Sequence, residues 1–436
     1  MGISKRKKII IDNNSIFVFL MKTAVVFFFL FEINCSVFGL PTYITTRRLA
    51  VLVMLIHTFF VHGKIYRDTT ANNRSFVVMV IFQFFILIYA AMLMFVIGRG
   101  KGENVFDSIL RFLFIIIIGT YAMSHYFKNL DEMMKVILAA TLIQAAIIIL
   151  FAFVPGIQHT VNNFIGVDES VEALQTRGYH TGLACSAAPG VLRMIPGYAA
   201  CIYFINKKGM SVYYVILYFT LVFCATIVAR TALVLAAVGF VFIIVGNIRA
   251  KGAKGIGVIF VIMFVFAVAY LMKYLFVNND TLAALFNRLI DLYNDGAYNS
   301  FFATYLGKAK DSASVLPPLS PKTMIGTGVT SGMSANNVFV NFDGGYARIY
   351  VALGLPLAIF MYLFTLINMV SATRKVEDTA VKYTLLFMIA YLFIGEFKEF
   401  FLYNGLALSI FYSILKLYYA ERKTNLDIKV ENKNEV

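Results

Sequence analysis

Arginine, histidine, aspartate and tyrosine gather in a few short stretches of an otherwise apolar chain. Arg177 and His180 lie in "QTRGYHTGL", Arg230 in "IVARTALVLAAVGF", and Asp343, Tyr346 and Arg348 in "VNFDGGYARIYVALGLP". Arg193 and Arg288 stand outside these stretches. The guanidinium is a planar fork of donors that can hold a phosphate or pyrophosphate through two bonds at once. A carboxylate or an imidazole supplies a proton acceptor, so Asp343 can orient or deprotonate a hydroxyl and His180 can act as general base. Tyr346 can stack on a sugar ring, and Gly344 and Gly345 permit a turn or a close backbone approach. Each residue also has a plainer reading. Arg193 and Arg230 can be snorkelling anchors. Asp343 can cap the following helix, His180 can be a solvated loop residue, and Arg177 can pair with Asp168, Glu169 or Glu172.

The elements that must position these groups are membrane helices. The chain has 436 residues, 60% hydrophobic and 14% charged, with mean hydropathy +0.79. Soluble domains are near a quarter charged. A helix needs about 20 apolar residues to cross a bilayer, and about twelve (11–13) candidate spans can be drawn. They cover 16–36, 44–62, 76–97, 109–126, 134–154, 187–205, 211–229, 231–247, 255–277, 346–369, 381–396 and 400–419. The runs are continuous rather than alternating, which argues against a β-barrel. The expected fold is therefore an all-α integral membrane protein, with a membrane domain over 1–420 and a charged, disordered cytoplasmic tail over 421–436. Lys5 to Lys8 precede an apolar run, but the cleavage site is poor, so that run is read as the first span rather than as a signal peptide.

Lys and Arg set the orientation. With the N-terminus cytoplasmic, every alternate connection is basic: Lys64, Arg67 and Arg74; Lys128 and Lys135; Lys207 and Lys208; Arg249, Lys251 and Lys254; Arg374, Lys375 and Lys382. Both termini then lie inside. Two long loops, near 155–186 and 278–345, lie outside, and loops of that length usually carry function or disorder. Arg177, His180, Arg193, Arg230, Arg288, Asp343, Tyr346 and Arg348 fall at this outer level and together suggest an anionic substrate there. Glu396 and Glu399 are further acidic candidates, read as lying in the last outer turn with Lys398 as a neighbour.

Several classes drop out. The net charge of +15 sits in loops between spans, so it does not imply nucleic acid. Cys35, Cys185, Cys201 and Cys224 form no C-x-x-C pair, so no metal or redox motif is present. No ATPase phosphate loop, His-Glu-x-x-His or G-x-S-x-G occurs, and "IGTGVTSG" lacks the strand–helix context of a nucleotide loop.

The "ARTAL" turn, followed far downstream by "IGTGV" and "FDGGYARIYVALGLP", resembles the Wzy-type O-antigen and capsule repeat-unit polymerases, within the group that includes O-antigen ligases. The resemblance extends to the span number and the two outer loops, but as motif it covers only about 35 residues. Neither loop carries a clean Arg-x10-Gly repeat. It implies a GT-C-like polytopic architecture in a bacterial cytoplasmic membrane, with the active site on the periplasmic face. It implies a metal-independent glycosyltransferase without cofactor. The substrate would be undecaprenyl-pyrophosphate-linked oligosaccharide, and the partners membrane lipid and a chain-length regulator protein. On that basis Arg230 and Arg177 would stabilise the leaving pyrophosphate, with Arg348, Arg288 and Arg193 assisting, while Asp343 or His180 would handle the acceptor hydroxyl. A ligase differs only in acceptor and stays open. So does a lipid-linked oligosaccharide flippase, which would line its path with charges such as Lys22, Glu32, Arg111, Arg193 and Lys273.

Overall fold

The computed structural model describes residues 13–33, 44–62, 74–165, 182–183, 187–208, 211–229, 231–251, 320–335, 338–340 and 344–434. These residues are overwhelmingly helical. The first part of the chain supplies α1 (Asn13–Leu30), α2 (Thr46–His62), α3 (Arg74–Ile97), α4 (Val105–Phe114), α5 (Thr120–Tyr126), α6 (Leu130–Phe153) and α7 (Pro155–Ile165). A π-turn, Ile115–Gly119, joins α4 and α5 into one long helix. Then come α8 (Ala187–Lys208), α9 (Val212–Val228), α10 (Thr231–Lys251), the short α11 (Pro321–Ile325), α12 (Gly345–Leu353), α13 (Leu355–Arg374), α14 (Thr379–Lys398) and α15 (Leu406–Asn434).

Six of the described helices are long and apolar enough to cross a membrane: α3, the α4–α5 helix, α6, α10, α13 and α14. Their exposed sides are apolar too. Phe95 and Val96 on α3 are more than four-fifths exposed, and Ile367 on α13 is two-thirds exposed. Water would penalise such faces and bilayer hydrocarbon does not. The molecule is thus a multi-pass membrane protein in which α-helices do the spanning. Every candidate span except 255–277, which lies outside the described residues, overlaps described helix.

Local chemistry accounts for several helix ends. Asn129 caps α6 by accepting from the Glu132 N–H at 2.8 Å, and Asp378 caps α14 by accepting from the Val381 N–H at 2.9 Å. Ser320 and Thr323 form a reciprocal capping box on α11. Two expectations need correction. The tail expected to be disordered from 421 continues α15 as helix to Asn434. The span expected to run unbroken from 346 to 369 divides at Gly354, whose φ of 86° belongs to glycine, with Pro356 in the first turn of the next helix.

The centre of the bundle is α8, which packs against α6, α9, α10 and α14. From Val191 to Asn206 it is almost wholly buried. Gly197 makes the approach possible, since a Cβ there would come within 2.8 Å of Thr141 Cβ on α6 and 2.9 Å of Leu221 Cδ1 on α9. Small residues at crossings are how membrane helices gain contact when lipid offers no hydrophobic drive.

Helix ends sort onto two faces. On one, the first turn of α6 meets the ends of α8 and α15: Tyr203 and Lys207 both donate to Asp131 at 2.6 Å, and the Leu130 N–H donates to Glu421 at 2.6 Å. Here too Ser75 at the start of α3 donates to Asn368 of α13 at 2.5 Å. Lys128, Lys135, Lys208, Arg249, Arg374 and Lys375 crowd this level, so we call it the basic face.

The opposite face carries a small antiparallel sheet in the order β1 (Glu103–Asn104), β2 (Val329–Met333), β3 (Phe339–Val340). Glu103 pairs with Ser331, and Gly332 with Val340. The segment leading into β2 is bound to the end of α12: the Thr327 and Gly328 N–H groups donate to the Val351 and Ala352 carbonyls at 2.8 and 2.9 Å. These carbonyls would otherwise be orphaned at the helix C-terminus. Gly326 sits so close that a Cβ would lie 2.6 Å from the Ala352 oxygen. The "IGTGV" and "ALGLP" stretches, distant in sequence, are therefore docked on one another.

Candidate functional site

Two polar clusters lie side by side on the sheet face. The first joins α1, α2, α8 and the turn before α15. Glu32 follows the end of α1 and is 24% exposed, while the Arg47 side chain is only 4% exposed. Arg47 Nη1 pairs with Glu32 Oε2 at 3.0 Å and donates to Asn404 Oδ1 at 2.8 Å. Its Nε donates to the Phe29 carbonyl at 3.0 Å, so the guanidinium also satisfies the C-terminus of α1, where a cation is favoured. Arg193, from the first turns of α8, donates through Nη1 to the Glu32 carbonyl at 3.2 Å and approaches Glu32 Oε2 at 3.7 Å. The Arg193 Nε is buried and has no hydrogen-bond partner among the described residues.

This arrangement sets two guanidiniums against one carboxylate. Burial pushes the Glu32 carboxyl up, but Arg47 and then Arg193 outweigh it and hold the group below its ordinary range. Arg47 stands in the first turn of α2, where the helix dipole is itself positive, whereas Arg193 lies beyond the first turn of α8. A cation beside a helix N-terminus is costly unless an anion answers it, and such ends are common anion sites.

The second cluster surrounds Glu396, in the last turn of α14. It lies neither in the connecting turn nor against Lys398: its side chain is buried and 1% exposed. Oε1 accepts from the Tyr362 hydroxyl of α13 at 2.6 Å. Oε2 accepts from the Phe401 and Leu402 N–H groups at 2.9 and 2.6 Å. Gly345 opens α12 directly against this carboxylate, where any Cβ would overlap it. The second glycine of "DGGYAR" is thus a contact residue, and α12 points its positive end at Glu396. The N-cap of α12 is Gly344, with no side-chain cap.

Besides Glu32 and Glu396, three of the residues singled out by sequence fall in these clusters. Arg193 belongs to the first, held by Glu32 rather than snorkelling. Tyr346 and Arg348, on α12, belong to the second. Tyr346 donates to the Phe393 carbonyl at 3.0 Å and packs its ring against Tyr362 and Phe397, with centroids 4.6 and 4.8 Å away. Its ring is thereby engaged by protein contacts. Arg348 is half-buried within electrostatic reach of Glu396. Asp343, His180, Arg230, Arg177 and Arg288 lie outside the described residues. The turn 399–405 ties the clusters together: Phe401 and Leu402 bind Glu396, Asn404 binds Arg47, and the Phe401 ring packs against Tyr391, whose hydroxyl donates to the Leu192 carbonyl.

Arg47 draws no role from the sequence, and Glu32 stands there only among the charges that could line a flippase path. The available signal was an acid shortly after one apolar run and an arginine just before the next, with room for the chain to turn back. Among the described residues no group of three or more His, Cys, Asp or Glu is placed to hold a metal ion. No protein-family model matches the chain, and no curated protein matches it.

Proposed function

We propose that the protein is a polysaccharide repeat-unit polymerase with about twelve spans and both termini cytoplasmic. It transfers a growing glycan from undecaprenyl pyrophosphate to a lipid-linked repeat unit on the outer face of a bacterial cytoplasmic membrane. The observation that carries this reading is the pair Arg47 and Arg193 on the single carboxylate Glu32, at the bundle end opposite the basic connections. That excess of guanidinium, with Arg47 in the first turn of α2, suits a pyrophosphate.

In the reaction, an acceptor hydroxyl attacks the anomeric carbon of the donor sugar. Its oxygen forms the new glycosidic bond, its proton passes to a carboxylate or imidazole, and the bond from the anomeric carbon to the lipid pyrophosphate breaks. Charge grows on the departing pyrophosphate, where fixed guanidinium donors lower the barrier without reorganising. Arg193 takes that part in this scheme, with Arg47 holding Glu32 so that Arg193 keeps its aim. Arg230, Arg177, Arg288 and Arg348 are further candidates for the glycan pyrophosphate, and Asp343 or His180 for the hydroxyl proton. Tyr346 serves by packing the Glu396 cluster that seats α12.

The test is the surface-glycan ladder of a deletion strain complemented with wild type, Arg193→Ala, Arg230→Ala or Asp343→Ala at equal membrane abundance. Polymerase activity predicts single repeat units on the final acceptor after deletion, copied by Arg193→Ala. Long chains stranded on the carrier lipid would identify a ligase. Lipid-linked units held in the cytoplasmic leaflet would identify a flippase and overturn the catalytic assignments.

A further inference from the structure

A cavity of about 490 Å³ opens at the basic face, between α3, α13 and α15, far from both polar clusters. Its wall is graded. At the membrane-surface end stand Arg74, Lys375 and Ser371, and deeper in stand Phe364, Leu363 and Phe360. Among the described residues no Asp or Glu lines it. Arg74 and Lys375 are exposed, and neither forms an ion pair among the described residues. Asn368 closes the floor between head and tail regions. It accepts from Ser75 at 2.5 Å and from Tyr412 at 2.7 Å, and donates to the Ser75 carbonyl at 3.1 Å, so its polar atoms are spoken for and the three helices are held at fixed spacing.

The dimensions match one leaflet. From Phe360 to Lys375 the helix rises about 22 Å, close to half of a bilayer with its headgroups, about 20–22 Å. Phe360, Leu363 and Ile367 on this side of α13 are at least half exposed, so the deep end is open to hydrocarbon. A soluble anion would need only the cationic end. An acyl chain alone would need only the apolar wall.

We propose that this groove holds one anionic phospholipid from the leaflet on the basic face, its phosphate between Arg74 and Lys375 and one acyl chain along α13 as far as Phe360. Charge complementarity and leaflet-length grading select the occupant, and the site is independent of the polymerase proposal. The probe is phosphatidylglycerol, and the assay is native mass spectrometry of the full chain released from bilayer nanodiscs of mixed phosphatidylglycerol and phosphatidylcholine. Wild type should keep one phosphatidylglycerol in preference to phosphatidylcholine. Arg74→Ala/Lys375→Ala should lower that retention at least tenfold, and so should Ser371→Trp, which fills the mouth while keeping both charges. Arg422→Ala, at the same face but in a pair with Glu377, should retain the lipid as wild type does. Equal retention of phosphatidylcholine would overturn the proposal. So would wild-type retention by both groove variants, or displacement of the lipid by millimolar inorganic phosphate.

Discussion

The two faces of the bundle handle charge differently. On the basic face three acids each meet a cation in a simple pair: Lys22 with Glu132 at 2.8 Å, Lys207 with Asp131 at 2.6 Å and Arg422 with Glu377 at 2.8 Å. Two of these pairs are substantially exposed, and they join helix ends that the bundle already holds together. On the sheet face the exposed pairs Arg99–Asp107 and Arg111–Glu103 stand beside two clusters whose charge is buried and unbalanced. Two guanidiniums share Glu32, while Glu396 is held chiefly by neutral donors. Exposed pairs contribute about 0–1 kcal/mol each and set helix register. Buried, uneven charge costs stability. The faces therefore differ in what their charges do for the fold: exposed pairs tie helix segments together, while the buried clusters hold more positive charge than they answer.

The largest expected break in that contrast is Glu32→Gln. It removes the only carboxylate that the structure shows between Arg47 and Arg193, and should cost about 3 kcal/mol. Heating detergent-solubilised protein with a thiol-reactive dye reports it, because Cys201 and Cys224 are buried until unfolding. An unchanged midpoint would mean that the two arginines do not depend on Glu32. The pH dependence has a definite sign. The Glu32 carboxyl is held below its ordinary range, so its contribution is complete above the ordinary carboxylate pKa and is lost as pH falls through the lowered folded value. The deficit of the variant should thus shrink below about pH 4.

Next comes Glu396→Gln, which leaves one acceptor oxygen where the carboxylate had two, so the Tyr362 hydroxyl and the Phe401 and Leu402 N–H groups can no longer all be satisfied as before. A loss of about 2 kcal/mol is expected, and the same melting assay reads it. If the variant were as stable as wild type, the hydrogen bonds to Phe401 and Leu402 would carry no weight. Gly345→Ala should follow at about 1–2 kcal/mol, since the new methyl must displace a carboxylate held on three sides. Pairing it with Glu396→Ala sharpens the point: the double variant should cost less than the sum of the singles, and strict additivity would show that the glycine and the carboxylate are not in contact. Smallest is Lys207→Ala on the basic face, where no more than about 1 kcal/mol is expected. A loss as great as that of Glu32→Gln would erase the distinction between the faces.

Much of the fold was legible in the sequence, residue by residue. "RSFVVMVIFQFFILIYAAMLMFVI" can only be a bilayer helix, because its apolar length is a local property. The division at Gly354 was legible in kind, since Gly followed by Pro marks a boundary, but apolar residues on both sides hid it inside one candidate span. The tail after 421 looked polar enough to be unstructured, yet it continues a helix already nucleated in the bundle. At the site, sequence drew attention to Arg193, Tyr346 and Arg348 without their partners, and supplied Glu396 with Lys398 in place of Tyr362.

The sequence by itself determined the class of molecule, the placement of the apolar helices and the arginine-rich character of one set of connections. These follow from composition and from the distance a helix must travel through hydrocarbon, both of which can be read along the chain. Only the tertiary structure decided that Arg47 reaches Asn404 across a separation of 357 residues, that Arg193 shares Glu32, and that a glycine in "DGGYAR" makes room for Glu396. Such partnerships depend on which helix lies beside which, and in a bilayer that is settled by small-residue crossings and buried hydrogen bonds rather than by a pattern along any one segment.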